Sequence, residues 1–345
     1  MKKILAGIPP ICENKSEHYM FCACMASMMK YLGKSPDYDF PFFAAVTGDA
    51  FCQLSFPYPD FGFTDSLSNR QMCSYESILR AFDACGYGMA GVDTKILQMD
   101  RQLWKREIVS SINRGMPVFT FGVVGPETCS IITGYDEDGD VLYGRAQFQE
   151  WEPSAACSPE ESPDGYFKKR GGIECSLALI FAGAEKVPPL FSDIWRDVFE
   201  NIYYWSHMPS DDHGKGDRRV FGVRAFYDWA EALLTEELFS EPAVLSDRQD
   251  AHTGMLCIAA TNLFYMSEIL SRIELYCPDL TVKIGVMKKI HAEQDLICHK
   301  IFSIQNGFSI DPKTLGKREI RVLLSECLRE LGKLQGLFAE EASPF

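Results

Sequence analysis

Apolar residues are distributed in two different ways along the chain, and the change falls near its middle. Up to about Phe181 they come in short runs punctuated by Gly and Pro. Gly115-Met116-Pro117-Val118-Phe119-Thr120-Phe121-Gly122-Val123-Val124 is rich in β-branched and aromatic residues, which predicts a buried strand. Cys129-Ser130-Ile131-Ile132-Thr133-Gly134-Tyr135 predicts a second strand, and Asp136-Glu137-Asp138-Gly139-Asp140 supplies a turn leading into Val141-Leu142-Tyr143-Gly144. A last strand is expected at Ser176 to Phe181. Ahead of the sheet, Cys22 to Leu32 carries helix-favouring residues and ends at the stop signals Gly33 and Pro36, with further helices at about Ser74 to Ala84 and Asp100 to Arg114.

Beyond Gly183 to Pro189 the apolar positions recur at three and four. Helices are predicted at about Phe191 to Trp205, Val220 to Leu234, His252 to Tyr276, Val282 to Gln305 and Leu315 to Phe338, separated at Pro209, Pro242, Pro278 and Pro312. The expectation is an α+β domain over residues 1–186, with a Cys-bearing helix packed on an antiparallel sheet, followed by an all-α bundle over residues 187–345.

With 345 residues, 46% of them hydrophobic, the chain can bury two cores of ordinary size. A net charge of −14 without a basic stripe argues against a nucleic-acid or anionic-membrane partner. The thirteen cysteines lack the paired spacings of zinc ribbons, so they read as reduced thiols in a cytoplasmic protein. The apolar run after Met1-Lys2-Lys3 is cut by Pro9-Pro10 before it makes a signal peptide, and no uninterrupted run reaches the length of about 20 residues that spans a bilayer. No dinucleotide fingerprint, phosphate loop or nucleophile elbow is found, and no cofactor or metal is expected.

The order of helix, Gly115-Met116-Pro117-Val118 strand and Thr133-Gly134-Tyr135-Asp136 segment resembles the papain-like cysteine hydrolases. The branch is the one that includes double-glycine leader peptidases of bacteriocin exporters and the acyltransferase of butirosin biosynthesis. The resemblance covers roughly residues 8 to 185. Two shorter elements extend it: Gly48-Asp49-Ala50-Phe51, similar to a "Gly-x-x-Phe" piece, and Gly222, Ala225 and Trp229, similar to a "Gly-x-x-Ala-x-x-x-Trp" helix. In that branch a nucleophilic Cys opens the helix, a His stands six residues before the Gly of the Thr-Gly-Tyr-Asp segment, and an Asp or Asn ends the next strand. The resemblance places Cys22 or Cys24 first, Thr128 where the His stands, and Ala146 or Gln147 third.

A thiol at a helix start gains acidity from the unpaired N–H groups there, but it needs an imidazole to take its proton. His18, four residues before Cys22, is the nearest in sequence. His207 and His213 lie in a breaker-rich linker, and His291 and His299, with Asp295 between them, form a helical face that suits either solvent or a metal ion. Two functions follow. In one, Cys22 or Cys24 with His18 as base makes a thiol-dependent acyltransferase or amide hydrolase with a degenerate triad. In the other, an inactive papain-like fold binds a small molecule or peptide in an inter-domain cleft, with Glu127, Thr128, Cys129, Tyr135 and Gln147 as contacts. Cys129 also reads as a plain core thiol, and an assembly of identical chains is left open.

Overall fold

The computed structural model describes the chain except for residues 1, 12–16, 18, 56–74, 125–127, 148, 150–159, 162–164, 210, 213–217, 242–243 and 344–345. His18, Glu127 and His213 therefore lie outside the described residues. In chain order the elements begin with β1 (Lys3–Ile4), α1 (Met20–Tyr31), α2 (Phe40–Val46) and β2 (Leu54–Ser55). They continue with α3 (Tyr75–Ala84), β3 (Tyr87–Asp93), α4 (Thr94–Met99), α5 (Arg101–Asn113), β4 (Val118–Phe121), β5 (Cys129–Asp136) and β6 (Val141–Arg145). Then come β7 (Glu160–Glu161), β8 (Phe167–Arg170), α6 (Gly172–Cys175) and β9 (Ala178–Glu185). The remainder is α7 (Phe191–Ser206), β10 (Asp211–Asp212), β11 (Arg218–Phe221), α8 (Gly222–Leu234), α9 (Leu245–Tyr276), α10 (Thr281–Gln305), α11 (Pro312–Leu315) and α12 (Arg318–Glu340).

These elements fall into two compact units, Met1–Phe43 with Gln71–Pro189, and Ala44–Arg70 with Leu190–Phe345. The second unit thus takes in a stretch that the sequence pattern placed in the first.

The first unit is built on an antiparallel sheet in the order β3-β9-β4-β5-β6-β8-β7, with β1 pairing with β5 beyond the end of β4. Both of its faces are covered. Phe119 of β4 meets Phe21 of α1 and Phe82 of α3, with ring centroids 5.8 and 5.6 Å away. Its neighbour Val118 pairs with Phe181 of β9, and that ring lies 6.3 Å from Trp104 of α5. Successive strand residues point to opposite faces, so α1 and α3 lie on one side of the sheet and α5 on the other. A strand buried on both faces reads as a continuous apolar run, which is the pattern of β4 and β5. Gly134 is required where β1 crosses β5, because a Cβ there would stand 2.6 Å from the Lys3 carbonyl oxygen.

The acidic turn between β5 and β6 is a short 3₁₀ segment, Glu137–Gly139, with Glu137 and Asp138 in the left-handed region at φ 48° and 55°. Two cations hold it: Arg170 grips Glu137 through both terminal nitrogens at 2.8 and 2.6 Å, and the buried Lys105 reaches Asp140 at 2.6 Å and Glu174 at 3.3 Å.

The second unit is helical but not purely so, which corrects the all-α expectation. β2, β11 and β10 form a three-stranded antiparallel sheet in the order β10-β11-β2, with Leu54 opposite Phe221 and Ser55 opposite Val220. The extended run ends at Gly222, whose left-handed φ of +64° lets its backbone pass the Ser206 carbonyl, where a Cβ would sit 2.0 Å away. Helix α8 therefore starts at Gly222 and not at Val220. The helices α7, α8, α10 and α12 otherwise lie close to the predicted ranges, and α9 begins at Leu245, ahead of the expected start at His252. Of the described helices, α9, at 32 residues, is long and apolar enough to cross a membrane by length and composition, and 56% of its apolar window is buried inside the fold.

Candidate functional site

Helix α1 lies against the start of β5, and the contact is made by a thiol: Cys24 Sγ is 3.8 Å from the Cys129 carbonyl oxygen. The helix and the strand start that the resemblance pairs as nucleophile and base are thus neighbours. Chemistry is missing from each side of that contact.

Neither Cys22 nor Cys24 opens the helix. α1 begins at Met20, after Tyr19, which takes up the N-cap position without a side-chain bond to the helix. The first helical residue, Met20, is a thioether with no proton to lose. Cys22 and Cys24 stand in the first and second turns, and both are 0% exposed. Burial pushes the Cys24 thiol well up from its ordinary value, and the neighbouring Cys129 side chain pushes the same way. That is opposite to the lowered value expected of a thiol at a helix start, because the low-dielectric core penalises the thiolate and no cation is placed to offset it.

Thr128 is buried, and its carbonyl accepts from Gly122 N–H at 3.4 Å. Cys129 is buried too, its thiol 3.8 Å from the Ser130 carbonyl. Tyr135, expected on a cleft wall, is instead a core anchor whose hydroxyl donates to Asn113 Oδ1 at 3.0 Å, tying β5 to the end of α5. The β5–β6 ladder ends at Ile131 opposite Arg145, two residues before Gln147. Gln147 Oε1 is buried and has no hydrogen-bond partner among the described residues.

Among the described residues of the first unit there is no histidine; the described histidines all belong to the second unit. His207 and His299 are exposed and sit over carbonyls one turn back, Tyr203 O and Asp295 O, each at 2.9 Å. His291 is half-buried, and burial lowers its pKa. Among the described residues no group of three His, Cys, Asp or Glu side chains is placed to hold a metal ion.

His252, which sequence reasoning passed over as an ordinary helix residue, is the most constrained of them. It is 0% exposed; Trp229 Nε1–H donates to its Nδ1 at 3.2 Å, and its Nε2 faces Gln305 Oε1 at 3.1 Å. Indole nitrogen only donates, so Nδ1 is the acceptor and Nε2 carries the proton. Burial lowers this pKa to about 4, against a smaller upward pull from Gln305.

A cleft of about 400 Å³ lies on another face of α1, within the first unit. Ala23, Ala26, Ser27 and Lys30, spaced at three and four, form one wall, with Pro9 and Phe40 among the residues opposite. Ser27 Oγ donates to Pro9 O at 3.1 Å, and Tyr19 stacks on Phe40 with centroids 5.9 Å apart. Lys34, also at the cleft, bridges to Glu185. The volume is that of a small-molecule site, and apolar walls with a few charged groups are what such sites present. None of Cys22, Cys24, Thr128, Cys129, Tyr135 or Gln147 lines it. The run of small residues at helical spacing was the signal available in the sequence.

A scan against protein-family models gives no match to this chain, and neither does a search of curated proteins.

Proposed function

We propose that the first unit is a papain-like domain without thiol catalysis, and that the protein binds a small molecule or peptide in the cleft along Ala23, Ala26 and Lys30 of α1. The observation that carries this is the start of α1: Met20 occupies the first position, and the two thiols behind it are sealed from solvent, with burial pushing the Cys24 thiol well up from its ordinary value. A base is missing on the strand side as well, where Thr128 replaces an imidazole. The cleft supplies what a binding protein needs, a partly apolar cavity with charged groups at its rim.

The competing function, a Cys-dependent acyltransferase or amide hydrolase with a degenerate triad, draws support from the packing of Cys24 against Cys129. Site-resolved alkylation by iodoacetamide across pH 5 to 9, a range chosen to span a free thiol pKa of about 8.5, separates the two. Binding without catalysis requires Cys22 and Cys24 to stay unlabelled in native protein while the exposed Cys175 reacts as an ordinary thiol. Fast labelling of Cys22 or Cys24 at acidic pH would overturn it. A thermal-shift panel of free amino acids and dipeptides then tests the cleft.

A further inference from the structure

Inside the second unit lies a small cavity of about 20 Å³, separate from the α1 cleft and lined by four carboxamide side chains among five apolar ones. Gln53, Asn262, Gln294 and Gln335 reach it, between the rings of Phe51 and Phe226. Gln53 is 2% exposed and Gln294 3%. A primary amide buried this deeply costs free energy unless its donors and acceptor are met.

Four hydrogen bonds donated by these amides are fixed within the protein. Gln294 Nε2 donates to Gln335 Oε1 at 2.9 Å, and Gln335 Nε2 donates to Ser206 Oγ at 3.2 Å. Ser206 Oγ in turn donates to the Phe51 carbonyl at 3.3 Å. Gln53 commits both protons of Nε2, to the carbonyls of Leu54 and Met255, each at 3.0 Å. What remains to Gln53 is Oε1, which is buried and has no partner among the described residues.

We infer that this cavity is a fixed site for one internal water molecule, which donates a hydrogen bond to Gln53 Oε1. The volume selects the ligand: a single water needs roughly 10–15 Å³ on this measure, and a larger guest does not fit. The polarity selects it too, since apolar cavities of such size stay dry whereas carboxamide-lined ones offer the two to four partners that hold a water. Its place in the unit gives it a role. Gln53 precedes β2, Asn262 is on α9, Gln294 on α10 and Gln335 on α12, so one water ties the extended segment to three helices that no single side chain joins.

The experiment is oxygen-17 relaxation dispersion on the full-length protein, which counts waters held longer than tens of nanoseconds, set beside Ala259→Val. Ala259 lines the cavity and is 2% exposed, so two added methyls compete with the water for its volume. The expected result is one fewer long-lived water in the variant, together with a lower denaturation midpoint. An equal count in the two folded proteins overturns the inference. Should Ala259→Val fail to fold, a water–amide Overhauser effect at the Gln53 Nε2 protons of the unmodified protein decides alone: its presence supports the site and its absence overturns it.

Discussion

Cys24 in the first unit and His252 in the second are both sealed from solvent, and burial drives both toward their neutral forms. They differ in what surrounds them. His252 has a donor at one nitrogen and an acceptor at the other, so the neutral imidazole is fully bonded and a second proton would meet the Trp229 N–H head-on. Cys24 has a carbonyl at 3.8 Å and a second thiol, partners that ask nothing of it. A buried titratable group becomes reactive when a neighbour stabilises its charged form: for His252 the pull of Gln305 in that direction is outweighed by burial, and for Cys24 both burial and Cys129 act against the thiolate. Where the fold does keep a buried charge, the partners are visible: Arg321, 1% exposed, donates to the carbonyls of Leu233 at 2.9 Å and Gly316 at 2.7 Å and to Glu236 Oε2 at 2.8 Å, and it stacks on Phe239.

The sharpest way to break the contrast is to remove that charge. Arg321→Met should destabilise the protein by about 3 kcal/mol or more, because the carbonyls of Leu233, Leu315 and Gly316 lose their donor inside the fold, at roughly 1 kcal/mol each, and the Phe239 contact is lost as well. Urea denaturation followed by circular dichroism measures it. A loss below about 1 kcal/mol would mean that the carbonyls find water and that Arg321 is not the clamp its bonds suggest.

His252 gives an effect of similar size that depends on pH. Its folded pKa of about 4 lies below the ordinary value near 6.5, so the neutral form is favoured by folding and the whole contribution is present above pH 6.5. As pH falls from 6.5 toward 4 the unfolded chain takes up a proton that the folded one refuses. Stability then declines by about 1.4 kcal/mol per pH unit and by about 3 kcal/mol in all, with no further loss from this residue below pH 4. Carboxylates add their own acid dependence, so the quantity to measure is the difference between the protein and His252→Gln. The two stability curves should converge as pH drops from 6.5 to 4; parallel curves would show that His252 is not buried in solution.

Much of this architecture is visible in the residue pattern, and the exceptions have physical causes. The helices of the second unit announce themselves because each has an apolar stripe and a Pro or Gly near its end. Strands β4 and β5 do so because a strand covered on both faces carries apolar or small hydroxyl residues throughout, with Thr120, Ser130 and Thr133 the buried polar ones here, and no charged residue interrupts the run before Asp136. The start of α1 is hidden: Tyr19 caps without a side-chain bond, so the usual Ser, Thr, Asp or Asn is missing and the first Cys looks like the first helical residue. The membership of Leu54 and Ser55 in the second unit is hidden for another reason, since their partners Phe221 and Val220 lie more than a hundred residues away and pairing at that distance leaves no local trace. Tyr135 looked like a pocket wall because polarity at a strand end is the same whether its hydroxyl meets a ligand or Asn113.

Two substitutions on α1, one on each of the faces that differ in role, sharpen the comparison at the smaller end of the scale. Cys24→Ala removes a buried sulfur from a packed interface and should cost about 1 kcal/mol in urea denaturation, while leaving any ligand-induced rise in melting temperature unchanged. Ala26→Leu, three positions along from Ala23 on the cleft wall, replaces one good helix former by another at a half-exposed site, so stability should stay within about 0.5 kcal/mol. Its longer side chain projects into the cleft and should abolish the thermal shift given by whichever amino acid or dipeptide binds. If Cys24→Ala removes the shift and Ala26→Leu preserves it, the functional face of α1 is the one turned to the sheet, and the thiol returns as the centre of the chemistry.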